Sequence, residues 1–272
     1  MNYRHAYHAG SFADCVKHAL LVSLIGALQQ KPAPIFVLDT HAGAGHYDLE
    51  NGPARRTGEW RHGIDRLLDT PPPVLAPYLR LIRTLGMYPG SPHIIRALLR
   101  PDDRLACCEL HPDDMFELRR RFRRDKQVAV HHRDAWEALG ALLPPKERRG
   151  LVLIDPPFED AQEYANLVGG IATGHARFRN GVLAAWYPIK HRAPVRGFFT
   201  ELEQTGIRDI IAAELCLREP LDPQQLSGCG LVVINPPFGF ERDAAAILAA
   251  LLERLGRGER GAGTSVTRLT DE

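Results

Sequence analysis

The sequence predicts an α/β fold: a mostly parallel sheet of seven strands with an antiparallel last strand, plus a small helical insertion. Three observations carry this. Short apolar runs rich in β-branched residues alternate with segments of helical periodicity, the texture of strands buried on both faces of a parallel sheet. Acids or glycines follow several of these runs directly, at the strand ends where open α/β sheets hold their ligands. The stretch 48–96 breaks the rhythm with two helical pieces around Pro71, Pro72 and Pro73, and is too long for a simple strand-to-helix loop.

Size and composition bound the rest. A chain of 272 residues with 44% hydrophobic content can bury one large core. No run approaches the ~18–20 apolar residues that span a bilayer, and the opening MNYRHAYHAG lacks the apolar centre of a secretory signal. A cytoplasmic location is the expectation, with no membrane partner. Five cysteines are scattered as Cys15, Cys107, Cys108, Cys216 and Cys229, with no CxxC pair or Cys/His cluster. They read as reduced, buried thiols, and no metal is expected. A net charge of +1 does not announce a polyanion binder, but Arg119, Arg120, Arg121, Arg123, Arg124 and Lys126 are crowded together. That cluster is a solvated helix face or a phosphate-contacting patch.

In chain order, residues 1–30 begin with an arm mixing Tyr3, Arg4, His5, Tyr7 and His8, a set able to stack on bases and contact phosphates or to dock on the domain. A helix follows from Phe12, with Asp14 at its positive end. Residues 35–38 form the first strand, and the loop after it carries Gly43 and Gly45, which let backbone approach a ligand closely. A third glycine, which a dinucleotide fingerprint needs, is replaced by Asp48. After the insertion, Ser91-Pro92 is expected to cap the next helix. Strand 105–109 ends on Glu109, an acid placed to bind ribose hydroxyls. His111-Pro112-Asp113 opens the helix that carries the arginine cluster. Strand 128–130 leads to Asp134. Further strands are expected at 182–187, 209–217 and 231–234, with a short edge strand at 265–269. The linker 218–230 reads as a loop and not a crossover helix, which makes the final strand antiparallel. Helices fill 163–173, 194–206 and 243–255.

The central stretch is GLVLIDPPFE, residues 150–159. Its apolar run suits a doubly buried strand, and two prolines cannot continue it. Asp155 therefore sits at the strand's C-terminal edge with the Pro156 carbonyl and the Phe158 ring. A carboxylate, a carbonyl and a flat ring together can hold an exocyclic amine and stack on a nucleobase. INPPFG at 234–239 mimics this stretch. By strand order Asp155 is assigned to the chemistry and Asn235 to a wall of the same crevice.

The glycine loop Asp-x-x-x-Gly-x-Gly, Glu109, Asp134 and DPPF match, in order, the motifs of class I methyltransferases, and DPPF resembles the amino-methyltransferase signature [DNS]-PP-[YFW]. The blocks NYRHAYHAGSFADCVKH, LDTHAGAGHYDL, YPGSP, ELHP, RRGLVLIDPPFE, WYP and INPPF resemble the RlmJ family of 23S ribosomal RNA adenine-N6 methyltransferases over nearly the whole chain. The resemblance implies a Rossmann-like class I fold over 1–47 and 97–272, with residues 1–30 lying over the cofactor and 48–96 as the family's helical insertion. It implies S-adenosylmethionine as cofactor, contacted by His18, His41, Ser91, Glu109, Asp134 and Ala135 beside Gly43, Gly45 and Asp155. Ala135 stands where members often have Gly, and Phe158 where Tyr is commoner. Tyr3 would contact the substrate RNA, with Arg4 and Asn235 beside it. The implied target is adenine 2030 of 23S rRNA; free or early-assembly RNA is the expected substrate, and a monomer is expected because nothing in the sequence calls for an obligate dimer.

On this reading Asp155 and the Pro156 carbonyl accept the N6 hydrogens, Phe158 stacks on a flipped adenine, and proton loss comes before or after transfer. Two other readings share parts of the pattern. One is a DNA adenine-N6 methyltransferase, and the other is a non-catalytic RNA-binding module keeping a relic cofactor site.

Overall fold

The computed structural model describes residues 5–160 and 162–272. The chain opens with α1 (Phe12–Leu28) and β1 (Phe36–Asp39). A minor strand β2 (His46–Tyr47) leads into α2 (Gly52–Thr57), α3 (Ile64–Asp69) and α4 (Ala76–Leu85). This stretch returns through β3 (Tyr88–Pro89), the antiparallel partner of β2. Helices and strands then alternate: α5 (Ser91–Leu98), β4 (Arg104–Glu109), α6 (Pro112–Phe122), β5 (Val128–His132), α7 (Ala135–Leu142) and β6 (Gly150–Ile154). They continue through α8 (Glu163–Arg177), β7 (Val182–Ile189), α9 (Arg192–Gln204) and β8 (Ile210–Cys216). The chain ends with β9 (Gly228–Ile234), α10 (Phe240–Leu255) and β10 (Gly263–Thr270).

The main sheet has the order β10-β8-β9-β7-β6-β1-β4-β5. From β5 through β7 all neighbours are parallel, and β9 lies antiparallel between β7 and β8. The expected antiparallel strand is therefore present as β9. The sheet has eight strands where seven were expected, because the edge segment read at 265–269 extends to a full antiparallel pairing of β10 with β8.

Strand residues alternate between two cores, as the two-residue repeat of a pleated strand requires. Val37, Cys107, Leu151 and Val233 face a core shared with α1, α5 and α10. Leu38, Cys108, Val152 and Ile234 face a second core shared with α7, α8 and α9. α1 is apolar nearly all round because it is enclosed, touching α10, α5, α4 and β9. Ser11 caps it, its hydroxyl accepting the Asp14 N–H at 3.4 Å. The segment 48–96 is continuous with the first core: Ile64, Leu67, Tyr78 and Leu79 are buried there. At its neck the Gly90 N–H donates to the Gly45 carbonyl at 2.6 Å. Gly90, not Ser91, is the N-cap of α5, and Ser91 is its first helical residue.

Strand polarity decides what shares an edge. β1, β4 and β6 end together, bringing Asp39, Glu109 and Asp155 to one side. β9 runs the other way, so Ile234 pairs with Leu183 and Ile210, where β7 and β8 begin. Asn235 therefore sits at the opposite edge from Asp155, which corrects its assignment to the same crevice. Its side-chain amide donates to the Arg179 and Gly181 carbonyls at 2.7 and 2.8 Å, pinning a turn that leaves Phe238 fully exposed.

Candidate functional site

Two cavities open at the edge where β1, β4 and β6 end. The first is lined by His18 from α1, His41 and Gly43 from the loop after β1, Ser91 from α5, Glu109, Asp134, Ala135 and Asp155. The second lies alongside and is lined by Asp155, Pro156, Phe158, Trp186, Pro188 and Leu226. Lys17 and Asp155 border both. Most of the residues singled out in the sequence thus converge, while Tyr3 and Arg4 lie outside the described residues.

Each wall has a local cause. Gly43 and Gly45 hold left-handed backbone at φ 59° and 81°, a region side chains rarely enter. A Cβ on Gly43 would collide with the Tyr47 hydroxyl, and one on Gly45 would come within 2.8 Å of His93 and Leu118. Gly45 is not on the cavity surface, so it shapes the loop from behind. Glu109 pins this loop: its two carboxylate oxygens accept the Gly43 and His111 N–H groups, each at 2.7 Å. Burial raises its carboxyl above the ordinary value, against those two bonds. Asp134 is the N-cap of α7, one oxygen accepting the Trp136 and Glu137 N–H groups at 2.9 and 3.1 Å. Ala135, the next residue, is buried where the helix begins.

His18 and His41 are held neutral by burial. His18 is 0% exposed and lowered to about 3. Its Nδ1 lies 3.1 Å from the Tyr88 hydroxyl, and its Nε2 is a buried polar atom with no hydrogen-bond partner among the described residues. His41 is lowered to about 4, again by burial. Its Nδ1 lies 2.8 Å from the Thr40 hydroxyl and 3.3 Å from the Asp155 backbone N–H, which donates to it.

Sequence reasoning missed Lys17. It is 4% exposed, and its ammonium joins Asp155 Oδ2 at 2.5 Å to Asp14 Oδ1 at 3.0 Å. Asp14 also accepts the Gly10 N–H and pairs with His5, each at 3.0 Å. Burial alone would raise Asp14, but His5 and Lys17 beside it hold its carboxyl well below the ordinary range. The available signal was local: Asp14, Lys17 and His18 stand three and four residues apart in an otherwise apolar helix, so they share one face. Trp186 was also missed. Its ring meets Phe158 edge-on at 5.8 Å, as does Tyr164 at 4.9 Å. Phe158 itself holds φ 52°, a costly conformation for a bulky residue.

The arginine cluster lies elsewhere. α6 leaves the site edge at Pro112 and ends at the far edge, with Arg120 paired to Glu117 at 2.7 Å and Arg119 reaching the Val130 carbonyl at 3.4 Å. Among the described residues no cluster of His, Cys, Asp and Glu is arranged to hold a metal ion, and no helix is long and apolar enough to cross a membrane.

Comparison with known proteins gives consistent matches. Residues 32–268 match the family described as ribosomal RNA large subunit methyltransferase D, RlmJ. The chain is 41% identical over 263 residues to ribosomal RNA large subunit methyltransferase J of Escherichia coli K12, covering 94% of both chains. It is likewise 41% identical over 264 residues to the protein of that name in Haemophilus influenzae, again covering 94% of both. A crystal structure of a DUF519 protein from Legionella pneumophila superposes with a TM-score of 0.87 at 34% identity, covering 96% of this chain and 98% of that one.

Proposed function

The chain belongs to the RlmJ family of ribosomal RNA large subunit methyltransferases, and from that premise we propose that it methylates the exocyclic N6 of one adenine in 23S ribosomal RNA. S-adenosylmethionine is the methyl donor, and the family's position, adenine 2030, is the expected target. The observation that carries the reading is Asp155, whose carboxylate borders both cavities. One cavity suits the cofactor and the other a flipped base.

The first cavity has the donor set for S-adenosylmethionine. Glu109 and Asp134 keep acceptor capacity for ribose hydroxyls beyond the backbone bonds they already make. Gly43 admits close backbone approach, and the orphaned His18 Nε2 offers a polar contact, with His41, Ser91 and Ala135 completing the wall. Glu109, Asp114, Asp134, Asp155 and Glu163 line this cavity against the two cations Lys17 and Arg133, which leaves the pocket suited to a cation. When bound, the cofactor supplies an electrophilic methyl group on a sulfonium.

The chain's own residues do the rest. Lys17 engages Asp155 Oδ2 and fixes the rotamer of the carboxylate, and Oδ1 then accepts one N6 hydrogen. The Pro156 carbonyl accepts the other. Both bonds localise the nitrogen lone pair that the ring otherwise withdraws, and hold it in line for attack. Phe158 stacks on the base with Trp186 behind it. α1 walls the cofactor cavity through Lys17 and His18, and Tyr3 and Arg4 ahead of it contact RNA. The protein acts as a cytoplasmic monomer on free or early-assembly rRNA, and 48–96 is an insertion into a domain formed by 1–47 and 97–272.

The test is methyl transfer from labelled S-adenosylmethionine to unmodified 23S rRNA, with nuclease mapping of the product and DNA as competitor. Label in a single N6-methyladenine is expected. Label in the DNA alone, or cofactor binding with no label in either polymer, overturns the reading.

A further inference from the structure

The second cavity has a mouth as well as a floor. Asp155, Phe158 and Trp186 form the floor, and His62, Lys190 and Arg257 stand among the residues around it. They come from separate parts of the chain: His62 from the helical insertion, Lys190 from the end of β7 and Arg257 from the segment after α10. All three are exposed, and none has an ion-pair partner among the described residues. The two acids nearby are already engaged. Glu59 accepts from His8 at 3.0 Å, and Glu259 is held by Arg218 through two bonds of 2.7 and 3.0 Å.

The insertion adds further charge behind His62. Arg61 lies over the Trp60 ring at 5.0 Å, and Arg66 reaches the Leu255 carbonyl at 3.5 Å. Slight burial, together with the charges of Arg257, Arg66 and Arg61, pushes the His62 imidazole below its ordinary value. Like charges crowded at one rim repel one another, and an anion placed among them relieves that repulsion.

A nucleotide whose base reaches the floor leaves its own phosphate and that of its neighbour at the mouth. We propose that His62, Arg257 and Lys190 at the mouth, with Arg61 behind His62, bind the RNA backbone phosphates flanking the target adenosine. The helical insertion is then the outer jaw of the substrate site. This inference rests on the proposed activity, since it takes the second cavity as the base pocket.

The experiment measures KM for unmodified 23S rRNA across a salt series, for the wild type, Arg61→Gln/Arg257→Gln, and Lys190→Gln. Each cation removed from a phosphate should lower the slope of log KM against log salt by about 0.7 to 0.9, with KM several-fold higher at moderate salt. Arg242→Gln is the charge control, because Arg242 is exposed on α10 beside the Asn235 turn at the other sheet edge. Unchanged slope and KM in the rim variants, with melting temperatures like the wild type, overturn the proposal. An equal loss in Arg242→Gln also overturns it, as an effect of bulk charge. Failure of the wild type to methylate RNA at all would instead count against the proposed activity.

Discussion

At the scale of single residues, the site depends on a buried chain of charges. Asp155→Ala should lower methyl transfer by about 100-fold or more while cofactor binding, followed by calorimetry, is largely kept. Lys17→Met leaves Asp14 and Asp155 facing each other without their cation, and breaking such a buried pair costs on the order of 3–5 kcal/mol. That variant should lose both transfer and thermal stability. The buried groups also set the pH dependence of folding. His18 and His41 stay neutral when folded, at about 3 and 4, whereas the unfolded chain takes up protons below 6.5. Their term makes stability rise with pH from about 4 to 6.5. Asp39, 0% exposed, is pushed by burial up to about 7 from an ordinary 3.8. It holds a proton in the fold that the unfolded chain releases, so its term makes stability fall across that window. Asp39→Asn removes the opposing term, and urea titrations at several pH values should show a steeper rise than in the wild type. Asp155 was legible because prolines and an aromatic follow it. The place of Lys17 on one helix face with Asp14 and His18 was legible too, but its pairing with Asp155 was not, because Asp155 is 138 residues away along the chain and only the fold joins them.

At the scale of elements, the two xPPF turns show what a motif means without its strand direction. Both follow doubly buried strands, and the loop between β8 and β9 already implied a reversed strand. The step not taken was that reversal moves Asn235 to the other edge. The backbones differ too: the left-handed residue is Phe158 in one turn and Asn235 in the other. Phe158→Ala should cost roughly 1–3 kcal/mol of base stacking, the range for aromatic platforms, and so lower kcat/KM. Phe238→Ala should leave methyl transfer unchanged, and steady-state kinetics on the two variants separates the roles. Strand positions were otherwise readable because apolar runs of four or five residues ended at glycines, acids or prolines. The extent of β10 was not, since a half-exposed edge strand rich in Thr and Ser carries little hydrophobic signal.

At the scale of the whole molecule, the segment 48–96 stood out in sequence as a break in rhythm, but its attachment to the core could not be read there. Tyr78 and Tyr88 place their hydroxyls 3.2 Å apart, and Tyr88 meets His18 in α1. With Ile64, Leu67 and Leu79 in the same core as α1 and α10, the insertion should not melt separately. Calorimetry should give one transition with matching calorimetric and van't Hoff enthalpies; a separate early transition would contradict this. The alternation along β4 has a further use. Cys107 and Cys108 are neighbours in sequence, yet they belong to opposite layers, with Cys15 and Cys229 on the first side and Cys216 on the second. The chain thus carries its own chemical reporters for each layer. A thiol reagent reaches Cys108 only when the α7–α8 layer parts from the sheet, and Cys107 only when the opposite layer does. If admitting RNA loosens one layer, its cysteines should be modified first while the other set waits for global unfolding, and peptide mapping after timed labelling would show which layer moves.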